Sequence, residues 1–271
     1  MTTEISINKY MSEGAVKQRF EELLGKKAPG FISSIISAVN NNDMLKNAER
    51  SSIMNAAAKA AALDLPIDSN LGFAAIVPYR DTKANKTLAQ FQIMYKGFIQ
   101  LAQRSGQFKT INATPVYEGE LVKNNRLTGE MVFDEAKRTS DKVVGYAGYM
   151  ELINGFSKTL FMPTEELDKH GKRFSKSYQK GYGLWKDDFH SMAIKTVIKQ
   201  LLSKYAPLSI DMQNAVTFDQ SIINNEGQPQ YIDNDATIID DSQPIEAKRP
   251  EAIPEATKEK EESNNEPKLK L

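Results

Sequence analysis

The chain has 271 residues, 35 acidic and 35 basic side chains, and no cysteine. That length holds one large domain or two modest ones with a real core. Without cysteine there are no disulfides and no thiolate chemistry, and with only His170 and His190 a zinc site is not expected. No stretch approaches the roughly 20 apolar residues of a membrane span. The N-terminus lacks a basic-then-apolar signal segment, so a cytosolic location is the expectation. The net charge of zero hides an asymmetry, because residues 217–271 carry 13 acidic and 6 basic side chains, leaving 22 and 29 before them. A body near +7 joined to a tail near −7 suits a nucleic-acid-binding body with a solvated or partner-seeking tail.

Residues 1–62 read as an N-terminal helical region. Val16, Phe20, Leu23 and Leu24 stand at helical spacing before Gly25, and Phe31, Ile32, Ile35, Ile36 and Val39 form a second stripe. Ser51 or Ser52 is the expected cap of an alanine-rich helix over residues 53–63. The role expected of this region is to cover a sheet or a neighbouring subunit, with no part in catalysis.

Residues 63–223 form the expected α+β core. Residues 72–79 are an apolar run ending at Pro78-Tyr79, residues 81–87 are polar, and residues 88–94 alternate. This predicts a β-hairpin with a basic tip bearing Arg80, Lys83 and Lys86. From Tyr95 the period becomes helical. Phe98, Ile99, Leu101 and Ala102 form the apolar stripe, with Lys96, Gln100, Gln103 and Arg104 on the other face and Gly106 closing the helix. An ordinary solvated face and a ligand-binding face are both compatible with that spacing.

Residues 110–118 and 143–152 are strand-like, and Asn154-Gly155 joins the second of these to a strand over 158–162. Residues 119–141 have no clear period and read as a loop or a short irregular strand pair. Thr164 is the expected cap of a short helix. In residues 170–182, Lys172, Arg173, Lys176 and Lys180 interleave with Phe174, Tyr178 and Tyr182. Cations can track phosphates while rings stack on unpaired bases, and the glycines suggest a mobile loop that orders on DNA. A basic loop without a ligand fits equally well.

Residues 185–205 predict one long helix. Ile194, Val197, Ile198, Leu201 and Tyr205 make its buried stripe, with Lys195, Thr196, Lys199, Gln200 and Ser203 opposite. Lys195 and Lys199 are one turn apart, a pitch that suits two contacts on one nucleic-acid backbone. Trp185 and Phe189 read as core packing before base stacking, and His190 as structural. Residues 224–271 have the composition of a disordered acidic tail.

Leu63-Asp64-Leu65-Pro66, Leu71-Gly72, Val77-Pro78-Tyr79, Tyr95-Lys96-Gly97 and Arg104-Ser105-Gly106 resemble the RecT family of phage single-strand annealing proteins. So do Trp185, Phe189, Met192, Lys195-Thr196, Leu202 and Tyr205-Ala206-Pro207 in their order. The resemblance implies an α+β fold in which N-terminal helices pack on a small antiparallel or mixed sheet with hairpins and a long C-terminal core helix. It also implies homo-oligomeric rings or helical filaments, and a basic groove that pairs complementary single strands without ATP. It carries DNA contact to Lys96, Arg104, Lys195 and Thr196. Gln100, Lys109, Lys172, Arg173 and Lys199 join them from the charge pattern. Asp64, Met94 and Gln103 depart from the family pattern, standing where glycine, glycine and arginine are common.

No Walker-type phosphate loop, GxSxG elbow or HExxH helix is present. The expectation is a non-enzyme that requires no cofactor, with Mg²⁺ modulating DNA binding at most. Its expected partners are single-stranded DNA, the annealed duplex intermediate, a phage exonuclease and a host single-strand-binding protein, with no membrane. A metal-dependent phage nuclease, which would need converging carboxylates, and a passive single-strand coat remain the alternatives.

Overall fold

The computed structural model describes residues 6–231 apart from 69, 82–84, 126, 220 and 224–228. Five helices open the chain: α1 (Ile7–Met11), α2 (Gly14–Leu24), α3 (Ala28–Asn40), α4 (Asp43–Lys46) and α5 (Arg50–Ala62). Phe20 of α2 and Ile35 and Val39 of α3 are fully buried, as their helical spacing predicts. Helix α5 starts ahead of both expected serine caps. Ser51 binds the Glu49 carboxylate, while the Ser52 hydroxyl donates to the Glu49 carbonyl and accepts from Ala89 N–H at 2.8 Å. Ser52 therefore ties the helix start to a strand. The alanines of α5 leave little between the two backbones, so the helix lies close against that strand.

The strand belongs to the predicted hairpin, β1 (Ala74–Asp81) paired antiparallel with β2 (Lys86–Ile93), with Pro78 opposite Ala89. Of the three tip cations, Arg80 is bound to Asn85 and Thr87, Lys86 pairs with Glu49, and Lys83 lies outside the described residues. The period change at Tyr95 is real: α6 (Tyr95–Arg104) buries Phe98, Leu101 and Ala102. Asp64 has a positive φ of 47°, where glycine is strain-free and a short Asp side chain is tolerated. Here it also accepts a 2.6 Å bond from Lys27.

A second sheet runs in the order β3 (Phe108–Tyr117), β6 (Val143–Leu152), β7 (Ser157–Pro163), all antiparallel. The segment without a clear period contains a small hairpin, β4 (Leu121–Asn125) with β5 (Glu130–Phe133). The fold is α+β, but the strands form separate antiparallel sheets, with one parallel bridge, Ile67 to Ala74.

Helices α7 (Thr164–Phe174), α8 (Lys176–Gln179), α9 (Leu184–Asp187), α10 (Phe189–Tyr205) and α11 (Ile210–Phe218) follow. The single long helix expected over 185–205 is broken at Asp188, whose φ/ψ of −143°/72° leaves the helical region and whose side chain caps α10 at Ser191 N–H. Thr164 does not cap α7; its hydroxyl binds the Val143 carbonyl. Strands β8 (Ser221–Ile223) and β9 (Pro229–Tyr231) pair antiparallel. Composition had assigned Pro229–Tyr231 to the tail. Proline at a strand's first residue and a β-favouring tyrosine permit the pairing. The rest of the expected disordered tail lies outside the described residues.

One apolar core extends from Ile7, Phe20 and Ile35 through Phe91 and Phe98 to Ile198 and Leu202. Each such buried side chain is worth about 1.5–3 kcal/mol. Residues 7–62 and the hairpin are thus held by the same interior as α10, which packs on the β3–β6–β7 sheet and on α6.

The start of α6 rests on the backbone of Phe73, whose carbonyl accepts from Met94 N–H at 3.0 Å. A Cβ on Gly97 would collide with that carbonyl, whereas one on Gly30 of α3 would meet nothing within 4 Å. Gly97→Ala should therefore lower unfolding stability by about 1–3 kcal/mol, and Gly30→Ala should raise it by about 0.5–1 kcal/mol. Urea midpoints of the two variants check both signs.

Candidate nucleic-acid interface

The segment expected to be a glycine-loosened loop is instead a packed helical lobe. Trp185 of α9 is buried and stacks on Tyr178 at 5.8 Å, and its ring also meets His170 and Phe189. Gly171 lies inside α7, where a Cβ would come within 2.8 Å of the Trp185 ring. The glycine thus admits a large ring and does not loosen the chain. Inward-facing aromatics fix the lobe and leave its cations on the outside.

Lys169, Lys172 and Arg173 recur at i, i+3 and i+4 on α7, and all three are exposed. Lys172 is paired with Asp168 at 2.7 Å. The Asp168 carboxyl is held below its usual range by Lys172 and then by the Tyr178 hydroxyl, at 2.6 Å. Burial, reinforced by Asp168, pushes that phenol up to about 12. Among the described residues, Lys169, Arg173, Lys180 and Lys186 have no carboxylate within 4.0 Å, and Tyr182 is 57% exposed beside them. The Lys176 side chain is outside the described set.

The central helix divides its polar residues. Lys96 is exposed, its stem passing over Gly72, and Gln100 is half-buried. Arg104 is spent inside the fold: Nη1 donates to the Leu63 carbonyl at 2.7 Å, and Nη2 lies 3.6 Å from Asp211. Lys109 on β3 is exposed and paired with Glu151 at 2.7 Å.

The largest departure is on α10. Lys195 and Thr196, expected on a solvent face, are 3% and 7% exposed. The Thr196 hydroxyl donates to the Met192 carbonyl one turn back. Lys195 Nζ donates to Asp219 Oδ1 at 2.9 Å, and Lys199 Nζ, on a partly exposed side chain, donates to Asp219 Oδ2 at 2.7 Å. Ile93 N–H also donates to Oδ1, at 3.0 Å. Burial pushes the Asp219 carboxyl up, but the charges of Lys195 and Lys199 outweigh it and hold it below the usual range. The first half of α10 is covered all round, while Tyr205, expected in the buried stripe, is 38% exposed under Lys158.

The structure thus brings Lys172 and Arg173 together on α7, and Lys195 and Lys199 together at Asp219. His170 links the two groups, since it feels the charges of both Lys199 and Arg173. Asp219 was not anticipated; its only sequence signal is an acidic residue directly after an apolar helix. Lys169 and Lys186 were also missed, as was the Arg138 guanidinium 3.5 Å over the Tyr117 ring. Among the described residues no three His, Asp or Glu side chains gather as metal ligands, and no helix is long and apolar enough to cross a membrane.

Exposed cations held on an aromatic-cored lobe, with more beside it, make up a nucleic-acid-binding surface. The RecT family profile matches residues 29–239, and the chain belongs to the RecT family, whose members bind and anneal single-stranded DNA in recombination. It is 47% identical over 239 residues to the uncharacterized protein YqaK of Bacillus subtilis (strain 168), covering 86% of this chain and 81% of that protein. It is 27% identical over 240 residues to the protein RecT of Escherichia coli (strain K12), covering 86% and 88%.

His170, packed on Phe174 at 4.5 Å, is pushed down to about 4, by burial first and then by Lys199 and Arg173. An unfolded histidine binds its proton near pH 6.5, so the unfolded state takes up more protons than the folded one between about 6.5 and 4. Stability should therefore fall on acidification through that window, with His170 contributing on the order of 2–3 kcal/mol. Urea midpoints against pH should show a shallower decline in His170→Phe than in the parent.

Proposed function

We propose that this chain is an ATP-independent single-strand annealing protein that assembles as oligomers on DNA and pairs complementary strands along a basic path. The observation that carries the reading is the ordered basic face of Lys169, Lys172 and Arg173, continued by Lys180 and Lys186 and rooted on Trp185. Cations cancel repulsion between two backbones, an exposed aromatic such as Tyr182 supports an unpaired base, and base pairing supplies specificity and driving force. No group need be activated for bond making or breaking. The reading includes a bacterial cytoplasmic location, an exonuclease and a host single-strand-binding protein as partners, and Mg²⁺ as a modulator of DNA binding only. Lys96 and Lys109 extend the path, with Gln100 as a neutral donor.

The test adds two complementary oligonucleotides one after the other to the protein without ATP and follows pairing by fluorescence. Pairing faster than the protein-free control, with both strands intact on a gel, is the expected result. Slowed pairing would indicate a passive coat, and cleavage on adding Mg²⁺ a nuclease; either would overturn the reading. Lys96→Ala and Arg173→Ala should each weaken binding to single strands and reduce the salt slope by about 0.7. Unchanged slopes in both would remove α6 and α7 from the interface.

A further inference from the structure

Three donors converge on the Asp219 carboxylate: the ammoniums of Lys195 and Lys199, and the N–H of Ile93 on the β2 edge away from β1. This is a cradle for a small monoanion with two accepting oxygens, a description that also fits a phosphodiester. Two ammoniums against one carboxylate leave the cluster with an excess positive charge. The side chain of Asp219 has no exposure, whereas that of Lys199 is 27% exposed, so the cradle meets solvent on the Lys199 side. That is also the side of Arg173, because both charges bear on His170. The basic face of α7 therefore leads to the mouth of the cradle.

The two halves of the cradle differ in how firmly they are held. Lys195 and Lys199 stand on α10, anchored by Ala193, Ile194, Val197 and Ile198 in the core. Asp219 is the residue after α11, a nine-residue helix whose buried residues are Met212 and Ala215 and whose Ile210 is 76% exposed. If one half moves, it is the half with less buried apolar surface.

We propose that Lys195, Lys199 and Ile93 N–H form a phosphate subsite for single-stranded DNA that Asp219 keeps filled, and that the strand gains it only when the end of α11 lifts away. The proposal rests on the DNA-binding reading above. Displacement conserves charge type in the cradle, so the lysines are never left buried without an anion. Asp219 then sets a threshold: DNA first binds the exposed cations and enters the subsite as a second step.

Anisotropy with labelled oligo(dT) on the full chain, over a salt series, tests this with Asp219→Asn, which keeps the shape and one accepting oxygen. The variant should bind about tenfold tighter at low salt, with a slope steeper by about 1.4, corresponding to two phosphates at about 0.7 each. Equal or weaker binding with an unchanged slope, in a variant that melts cooperatively, would overturn the proposal and leave Asp219 as a structural ion-pair partner. Should the variant not fold, hydrogen exchange on the parent chain decides. Saturating oligo(dT) should speed exchange of the α11 amides, and unchanged or slower exchange would overturn the subsite. A parent chain that does not bind oligo(dT) at all would instead sink the DNA-binding reading itself, and the subsite with it.

Discussion

Helix α10 is enclosed on nearly every side through its first three turns, and two lysines lie within that enclosure. A buried ammonium needs an anion, and Asp219 supplies one carboxylate to both. This requirement fixes where α11 ends, because its last turn must deliver Asp219 between α10 and the edge of β2. Removing one partner from such a buried group typically costs about 3–5 kcal/mol, yet an apolar replacement of equal volume is often as stable. Stability alone therefore does not account for a charged knot at the centre of an otherwise apolar packing layer.

The remaining cations sort by how tightly the fold holds them. Arg104 bridges the end of α5 and α11, and its loss would unsatisfy the Leu63 carbonyl. By contrast, the exposed pairs Lys172–Asp168, Lys109–Glu151, Lys86–Glu49 and Lys123–Glu130 are each worth about 0–1 kcal/mol. Such lysines can exchange a carboxylate for a phosphate at little cost to the fold. The aromatic cluster under α7 and α9 makes that exchange productive, since it holds the cations in position before any strand arrives. Preorganised cations lose less side-chain entropy on binding than cations on a mobile loop.

Much of the fold was legible from local pattern. The β1–β2 hairpin, the switch to a helical period at Tyr95 and the Asn154-Gly155 turn all fall where spacing placed them. The motifs quoted for the RecT resemblance lie almost wholly within the span that the family profile matches. Misreadings occurred where tertiary contacts overrode a local rule. Gly171 suggested looseness, yet it admits the Trp185 ring. Ser52 suggested a helix cap, yet it serves a strand N–H one layer away.

The sequence by itself determined the class of protein, the order of its elements and which residues carry charge, because hydrophobic period, turn chemistry and composition act over a few residues at a time. Only the tertiary structure decided which of those charges face water. A lysine at i+1 from a buried isoleucine reads as exposed when a helix has one covered side, and Lys195 is buried because α10 is covered on several. What covers it includes Asp219, 24 residues further on and invisible to any pattern along the helix. Burial of a charge is settled by such distant partners, so the chemistry was legible in the sequence and its accessibility was not.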